Sequence, residues 1–242
     1  MAYVYVKAPP GYMLKRTPSI VARLRLIIST VLLTFGVAAV TSVLYPMAVY
    51  QIEFAPRFAH APLSPQIQKV QAASSPVVAA EMVNTALDYT NTNTWFTGAP
   101  PEPKAVSSFS YTLSIPKLGI KDAEVRGDHN DLKRSLIQYG GTAMPGDLGN
   151  TVIFGHSVLP QFFDPHNYIT IFSTLHTLHP GDTILVNADG ATYTYKIADM
   201  YAVDPDNLSP LAQSYDGRYL TIITCTPPGT FLKRLIVRAV LQ

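Results

Sequence analysis

Charge is scarce in this chain. Lys, Arg, Asp and Glu make up 14% of its 242 residues, against about 25% in ordinary soluble domains. The shortage is local: residues 26–49 (LIISTVLLTFGVAAVTSVLYPMAV) contain no charge, and no acidic residue precedes Glu53. Cysteine is almost absent. Cys225 stands alone, which excludes an internal disulfide and leaves stability to packing. No basic patch follows the apolar run, which argues against nucleic acid as a partner. No internal repeat is found.

What is present begins with that apolar run. A helix needs roughly 20 apolar residues to cross a bilayer core, and residues 26–49 suffice. Lys7, Lys15, Arg16, Arg23 and Arg25 precede it. The positive-inside rule therefore sets the N-terminus in the cytoplasm and the remainder outside, as a single-pass protein of the cell membrane. The run exceeds the h-region of a cleaved signal, and no A-x-A site follows. Past the run, 13 basic residues face 16 acidic ones, a net charge of about −3.

The expected organisation is a cytoplasmic tail over residues 1–18, a transmembrane anchor over 19–50, a Pro/Ala/Ser/Thr-rich stalk over 51–105 and a folded domain over 106–242. The stalk reads as a spacer packed loosely on the domain, with a short helix possible between Pro65 and Leu87. Its lone Trp95 fits either the domain surface or the membrane interface. From residue 106 the texture becomes short strands with turn signals. Residues 109–115 alternate and stop at Pro116; 151–155 form a compact apolar run; 183–187 and 191–203 flank an Ala-Asp-Gly hairpin turn. Residues 219–224 and 235–241 are continuous and β-branched, as in central strands. Helices are expected at 131–138 and around 168–178. The fold class is all-β, a barrel or sandwich.

Three strand ends carry chemistry: Gly155-His156-Ser157 after TVIF, Cys225 after YLTIIT, and Arg234 opening RLIVRA. Cysteine acyl transfer needs a thiolate nucleophile, an imidazole to move the proton, and donors for the oxyanion, which a guanidinium supplies. Each residue also has an inert reading. A buried Cys packs as a small hydrophobe, one histidine among six can be structural, and Arg234, like Lys233 and Arg238, can form a surface ion pair worth under about 1 kcal/mol. Spacing alone leaves both readings open.

In combination these segments resemble the sortases. Thr221-Ile222-Ile223-Thr224-Cys225 is similar to the family's TLxTC strand end, Gly155-His156 to its upstream Gly-His, and Arg234-Leu235-Ile236-Val237 to its downstream arginine strand. The IPKLGI segment at 115–120 looks like the family's first strand and turn. The likeness covers about residues 106–242. It implies an eight-stranded sortase-like β-barrel with one or two short helices, preceded by one N-terminal transmembrane helix. It also implies a catalytic trio of Cys225 as nucleophile, His156 as acid/base and Arg234 as oxyanion stabiliser. The implied partners are a C-terminal sorting-signal peptide of exported proteins, LPxTG-like, and an amine acceptor, either a peptidoglycan precursor or a pilin lysine. The connection 204–218 would border the peptide groove, with Thr224, Ser157, Asp204 and Leu208 as substrate-side residues; Ser157 and Thr224 can equally satisfy local backbone groups. No cofactor is implied, and Asp122, Glu124, Asp128 and Asp131 are too scattered for a calcium site.

Departures from the pattern are Ile222 for the usual Leu and Arg234 only nine positions after Cys225, the short-connection arrangement. Neither an Asp-Pro-aromatic lid nor a second membrane segment is read, which favours a general anchoring enzyme over a pilus polymerase. The rivals are a Cys-His peptidase that only hydrolyses and a membrane-tethered non-catalytic β-domain that binds surface proteins. The latter expects Cys225 buried and remote from His156 and Arg234.

Overall fold

A computed structural model describes residues 20–58, 90–97 and 109–242. The tail over 1–18 and the helix expected between Pro65 and Leu87 lie outside the described residues. Contacts divide the chain into two units, residues 1–45 and 46–242.

The first unit is the larger part of helix α1 (Ile20–Val49). At 1.5 Å per residue α1 is about 45 Å long, and it is the one described helix long and apolar enough to cross a membrane. Several of its hydroxyls bond back into the helix: Ser29 and Thr30 donate to the carbonyls of Arg25 and Leu26, each at 2.8 Å. That removes the penalty a bare hydroxyl would meet in an apolar surround.

The second unit is a closed barrel of eight strands: β1 (Ser110–Ile115), β2 (Ile120–Arg126), β3 (Leu136–Gln138), β4 (Gly149–Phe154), β5 (Thr183–Ala188), β6 (Ala191–Val203), β7 (Arg218–Thr226) and β8 (Lys233–Leu241). Their order around the barrel is β1-β2-β3-β4-β7-β8-β6-β5. The β5–β6 turn holds Asp189 at φ +50° and Gly190 at φ +77°. Two successive positive φ values suit the right-handed twist of a two-residue hairpin. β4 is buried on both faces and pairs in parallel with β7, which explains their unbroken apolar character.

Alternation along β4, β7 and β8 builds two cores. Ile153, Leu220, Ile222, Leu235 and Val237 point into the barrel. Val152, Phe154, Ile223, Cys225 and Ile236 form an outer cluster with Trp95, Phe96 and Leu132.

Two expectations are corrected. Residues 131–138 form a turn and then β3, because Leu136, Ile137 and Gln138 are buried where that strand bridges β2 and β4. Around 168–178 the chain makes turns and a single 3-10 turn, Leu175–Thr177. The described pieces of the spacer also pack firmly on the barrel. Residues 50–58 follow α1 as a π turn and a 3-10 turn, and Tyr50 and Phe58 enter the inner core. Residues 90–97 form a strap, pinned where Asn91 bridges Asp131 and where the Leu132 N–H donates to Thr90 O at 2.9 Å.

Candidate active site

Cys225 ends an apolar strand and Arg234 begins the next, and the antiparallel register of β7 and β8 sets the two directly opposite each other. Both belong to the outward series, Cys225 with Ile223 and Arg234 with Ile236. Facing residues in such a pair hold their Cβ atoms about 5 Å apart. His156 arrives from β4. Gly149 pairs with Arg218 and Phe154 with Ile223 in one constant parallel register; carried two residues past the strand end, that register would bring His156 level with Cys225. Bonds past the strand end maintain it: Gly155 N–H to Ile223 O at 3.2 Å, Thr224 Oγ1 to Gly155 O at 2.8 Å, and Ser157 Oγ to Cys225 O at 3.0 Å.

A cradle of turns fixes the imidazole. Nδ1 of His156 lies 2.9 Å from the Ile169 carbonyl, which can only accept, so Nδ1 carries a proton and Nε2 is the basic nitrogen. Phe172 N–H donates to His156 O at 3.1 Å, and Val158 N–H to Ser173 Oγ at 2.9 Å. Gly155 is required by space: a Cβ there would lie 2.2 Å from the Phe172 ring and 2.8 Å from Leu136.

Arg234 is 1% exposed, and the strap covers it. Its Nε donates to the Trp95 carbonyl at 2.9 Å, and its Nη1 to the carbonyls of Phe231 at 3.1 Å and Lys233 at 3.2 Å. Its Cζ lies 5.5 Å from the Trp95 ring centroid. Carbonyl dipoles and the aromatic face thus replace the water lost by the buried cation. Trp95 is itself fully buried, edge-on to Phe154 at 5.3 Å between centroids; it belongs to the domain, not to a membrane interface. Thr97 N–H donates to Pro205 O at 2.9 Å, so the strap also touches the β6–β7 connection.

Burial pushes the Cys225 thiol up to about 11, and the neighbouring Arg234 offsets only part of that. Under the strap the sulfur is therefore a protonated thiol at neutral pH. The packed-cysteine reading required burial and remoteness. Burial holds, and Arg234, directly opposite Cys225, is not remote.

The remaining substrate-side residues fall in two places. Ser157 and Thr224 spend their hydroxyls on backbone carbonyls of the site. Asp204 is exposed and pairs with Lys233 at 3.4 Å, while Leu208 packs on the outer cluster. Sequence reasoning missed three features: the Ile169 carbonyl, the Trp95 cover and the ties of the β6–β7 connection. The first two act through backbone atoms, which leave no residue-type signal; only the singularity of Trp95 marked its segment.

Residues 113–242 match the family model of the sortase domain. The chain belongs to the sortase family. Sortase SrtE1 of Streptomyces coelicolor is 33% identical over 141 residues, which cover 52% of this chain and 38% of that protein. The chain thus spans well under half the length of this curated relative. Among solved structures, a Sortase D5 transpeptidase of Clostridium perfringens is 27% identical, covering 56% of this chain and 79% of its own, with a TM-score of 0.47. Sortase A of Corynebacterium diphtheriae is 28% identical over 56% of this chain and 61% of its own, with a TM-score of 0.48.

Proposed function

We propose that this sortase is a membrane-anchored cysteine transpeptidase that cleaves a C-terminal sorting signal and passes the acyl group to an amine. The observation that carries this reading is the facing of Cys225 and Arg234 across β7 and β8, with His156 following the end of the adjoining strand β4. Cys225 loses its proton to His156 Nε2, and the sulfur attacks the carbonyl of the scissile Thr–Gly bond of an LPxTG-like peptide. Arg234 holds the resulting oxyanion with fixed planar donors. The C–N bond then breaks, His156 protonates the departing amine, and a thioester remains on Cys225. An amine of a peptidoglycan precursor or a pilin lysine attacks the thioester and regenerates the thiol.

The covered site is the resting form. The Trp95 carbonyl takes the Arg234 Nε that a substrate oxygen would use, so peptide capture displaces the strap. With α1 in the membrane and the basic flank in the cytoplasm, the barrel works at the outer face. The catalytic domain extends over 106–242, and residues 90–97 regulate access to it.

The test uses the full chain in detergent micelles with candidate sorting peptides and amines, products being read by mass. The expected outcome is a ligated product with the amine and slow hydrolysis without it. Hydrolysis alone at saturating amine would favour the Cys-His peptidase instead. Turnover surviving Cys225→Ala would remove the mechanism.

A further inference from the structure

Asn150 stands near the start of β4, facing the β6–β7 connection, and is 6% exposed. All of its side-chain polar atoms are used. Nδ2 donates to Pro210 O at 3.1 Å and to Ala212 O at 3.2 Å, while Oδ1 accepts from Thr221 Oγ1 of β7 at 2.7 Å. Its backbone is matched to one partner: the N–H donates to Gln213 Oε1 at 3.0 Å, and the carbonyl accepts from Gln213 Nε2 at 2.9 Å. The 3-10 turn Ser209–Leu211 and the residues after it are thereby tied to the two central parallel strands.

The tied segment is a wall of the site. Pro205 accepts the strap's Thr97 N–H, and Leu208 and Leu211 pack on the cluster that contains Cys225 and Trp95. Its own apolar grip is thin. Asp204, Asp206, Asn207 and Ser209 are exposed, Leu208 and Leu211 are only half-buried, and within the turn Pro210 alone is buried. A fully satisfied amide pair therefore sets the position of a wall that apolar burial would leave loose.

We propose that Asn150 and Gln213 are positioning residues for peptide capture, holding the β6–β7 wall in its binding geometry before the substrate arrives. This rests on the transpeptidase reading above. The strap shows which atoms the wall offers. Its Trp95 carbonyl takes Arg234 and its Thr97 N–H takes Pro205, two backbone points two residues apart. An extended peptide that replaces the strap uses the same pair, so its affinity depends on Pro205 already being in place. A preordered wall spares the binding energy that ordering it would consume.

The test uses the full chain carrying Trp95→Ala, so that the strap, without its ring, competes less with the peptide, with Asn150→Asp or Gln213→Ala added. Asn150→Asp keeps the acceptor for Thr221 and removes both donors to the wall; Gln213→Ala is the milder variant should the first fail to fold. The expected result is a KM for the peptide raised roughly tenfold with kcat nearly unchanged. Amide exchange at Asn207, Leu211 and Ala212 should accelerate while barrel amides stay protected, and alkylation of Cys225 by iodoacetamide should keep its rate. Unchanged exchange at those amides, or a fall in kcat at constant KM, would overturn the proposal. If the Trp95→Ala parent turns over no peptide, the transpeptidase reading fails, and exchange alone then decides whether the pair orders the wall.

Discussion

Two segments ahead of the barrel grip the same pair of strands from opposite faces, and they do it differently. Residues 50–58 work from inside: Tyr50 lies in the inner core, and its hydroxyl bonds to Thr226 Oγ1, next in sequence to Cys225. Residues 90–97 work from outside, where Trp95 covers Arg234 and lends it a carbonyl. The inner grip shares the packing of the barrel, so losing it costs global stability. The outer grip rests on a few bonds and the rings of Trp95 and Phe96, so its loss should leave the barrel folded. One aromatic holds the strand of Cys225, and the other covers Arg234.

The largest effects concern what the outer grip covers. Cys225→Ala should abolish turnover, and His156→Ala should come close. Arg234→Ala should cost on the order of 10²–10³ in kcat, with Arg234→Lys still severely impaired, because an ammonium cannot reproduce the fork. Steady-state kinetics with a cleavable peptide would measure all four, and full activity of Arg234→Lys would remove the oxyanion role.

Next come variants that separate the grips. Tyr50→Ala should lower the unfolding free energy of the barrel by about 3–5 kcal/mol, the usual cost of deleting a buried aromatic, as read by chemical denaturation. Trp95→Ala should cost less, because its penalty is capped by the docking energy of the strap. It should also accelerate alkylation of Cys225. Water reaching the sulfur relieves the burial that holds the thiol near 11, so the pH midpoint of alkylation moves down. A drop of one unit means roughly tenfold more thiolate at neutral pH. An unchanged midpoint would mean that the strap does not shield the sulfur.

The smallest effect lies in the inner grip. Burial pushes His176 down to about 4, partly offset by a hydrogen bond with the Ser173 backbone, and the rings of Tyr50 and Phe54 sit edge-on to it at 5.5 and 4.7 Å between centroids. Its folded-state value lies below the unfolded one, so the unfolded chain binds more protons between the two. Stability should therefore fall as pH drops from about 6.5 toward 4. His176→Gln should flatten that slope in denaturation curves recorded across the window.

Much of the barrel was legible in the sequence because its strands carry two plain signals. The ends of β6 at Ala191 and Val203 coincide with an alternating run, and β4 and β7 read as unbroken apolar segments because both of their faces are covered. β3 was illegible. Asp131-Leu132-Lys133-Arg134-Ser135-Leu136 has a helix-like mixture of charge and apolar residues, and only burial between β2 and β4 makes its end a strand. Within the site, Cys225, His156 and Arg234 stood out because each closes or opens an apolar run. Ile169 did not, since its contribution is a carbonyl oxygen, and Trp95 did not, since its carbonyl and ring reach Arg234 only through the fold. The Asn150–Gln213 pair escaped notice for a related reason: amide side chains matter here only through a fold that brings them together.

The most direct measurement is the intact mass of the full chain quenched during turnover of a sorting peptide. The expected spectrum shows a mass increase equal to the peptide's N-terminal acyl fragment, held as a thioester on Cys225. The adduct should be absent in Cys225→Ala, discharged by added amine and formed faster in Trp95→Ala. Cleaved peptide with no adduct on Cys225, at any quench time and with the strap released, would contradict covalent transfer through this cysteine.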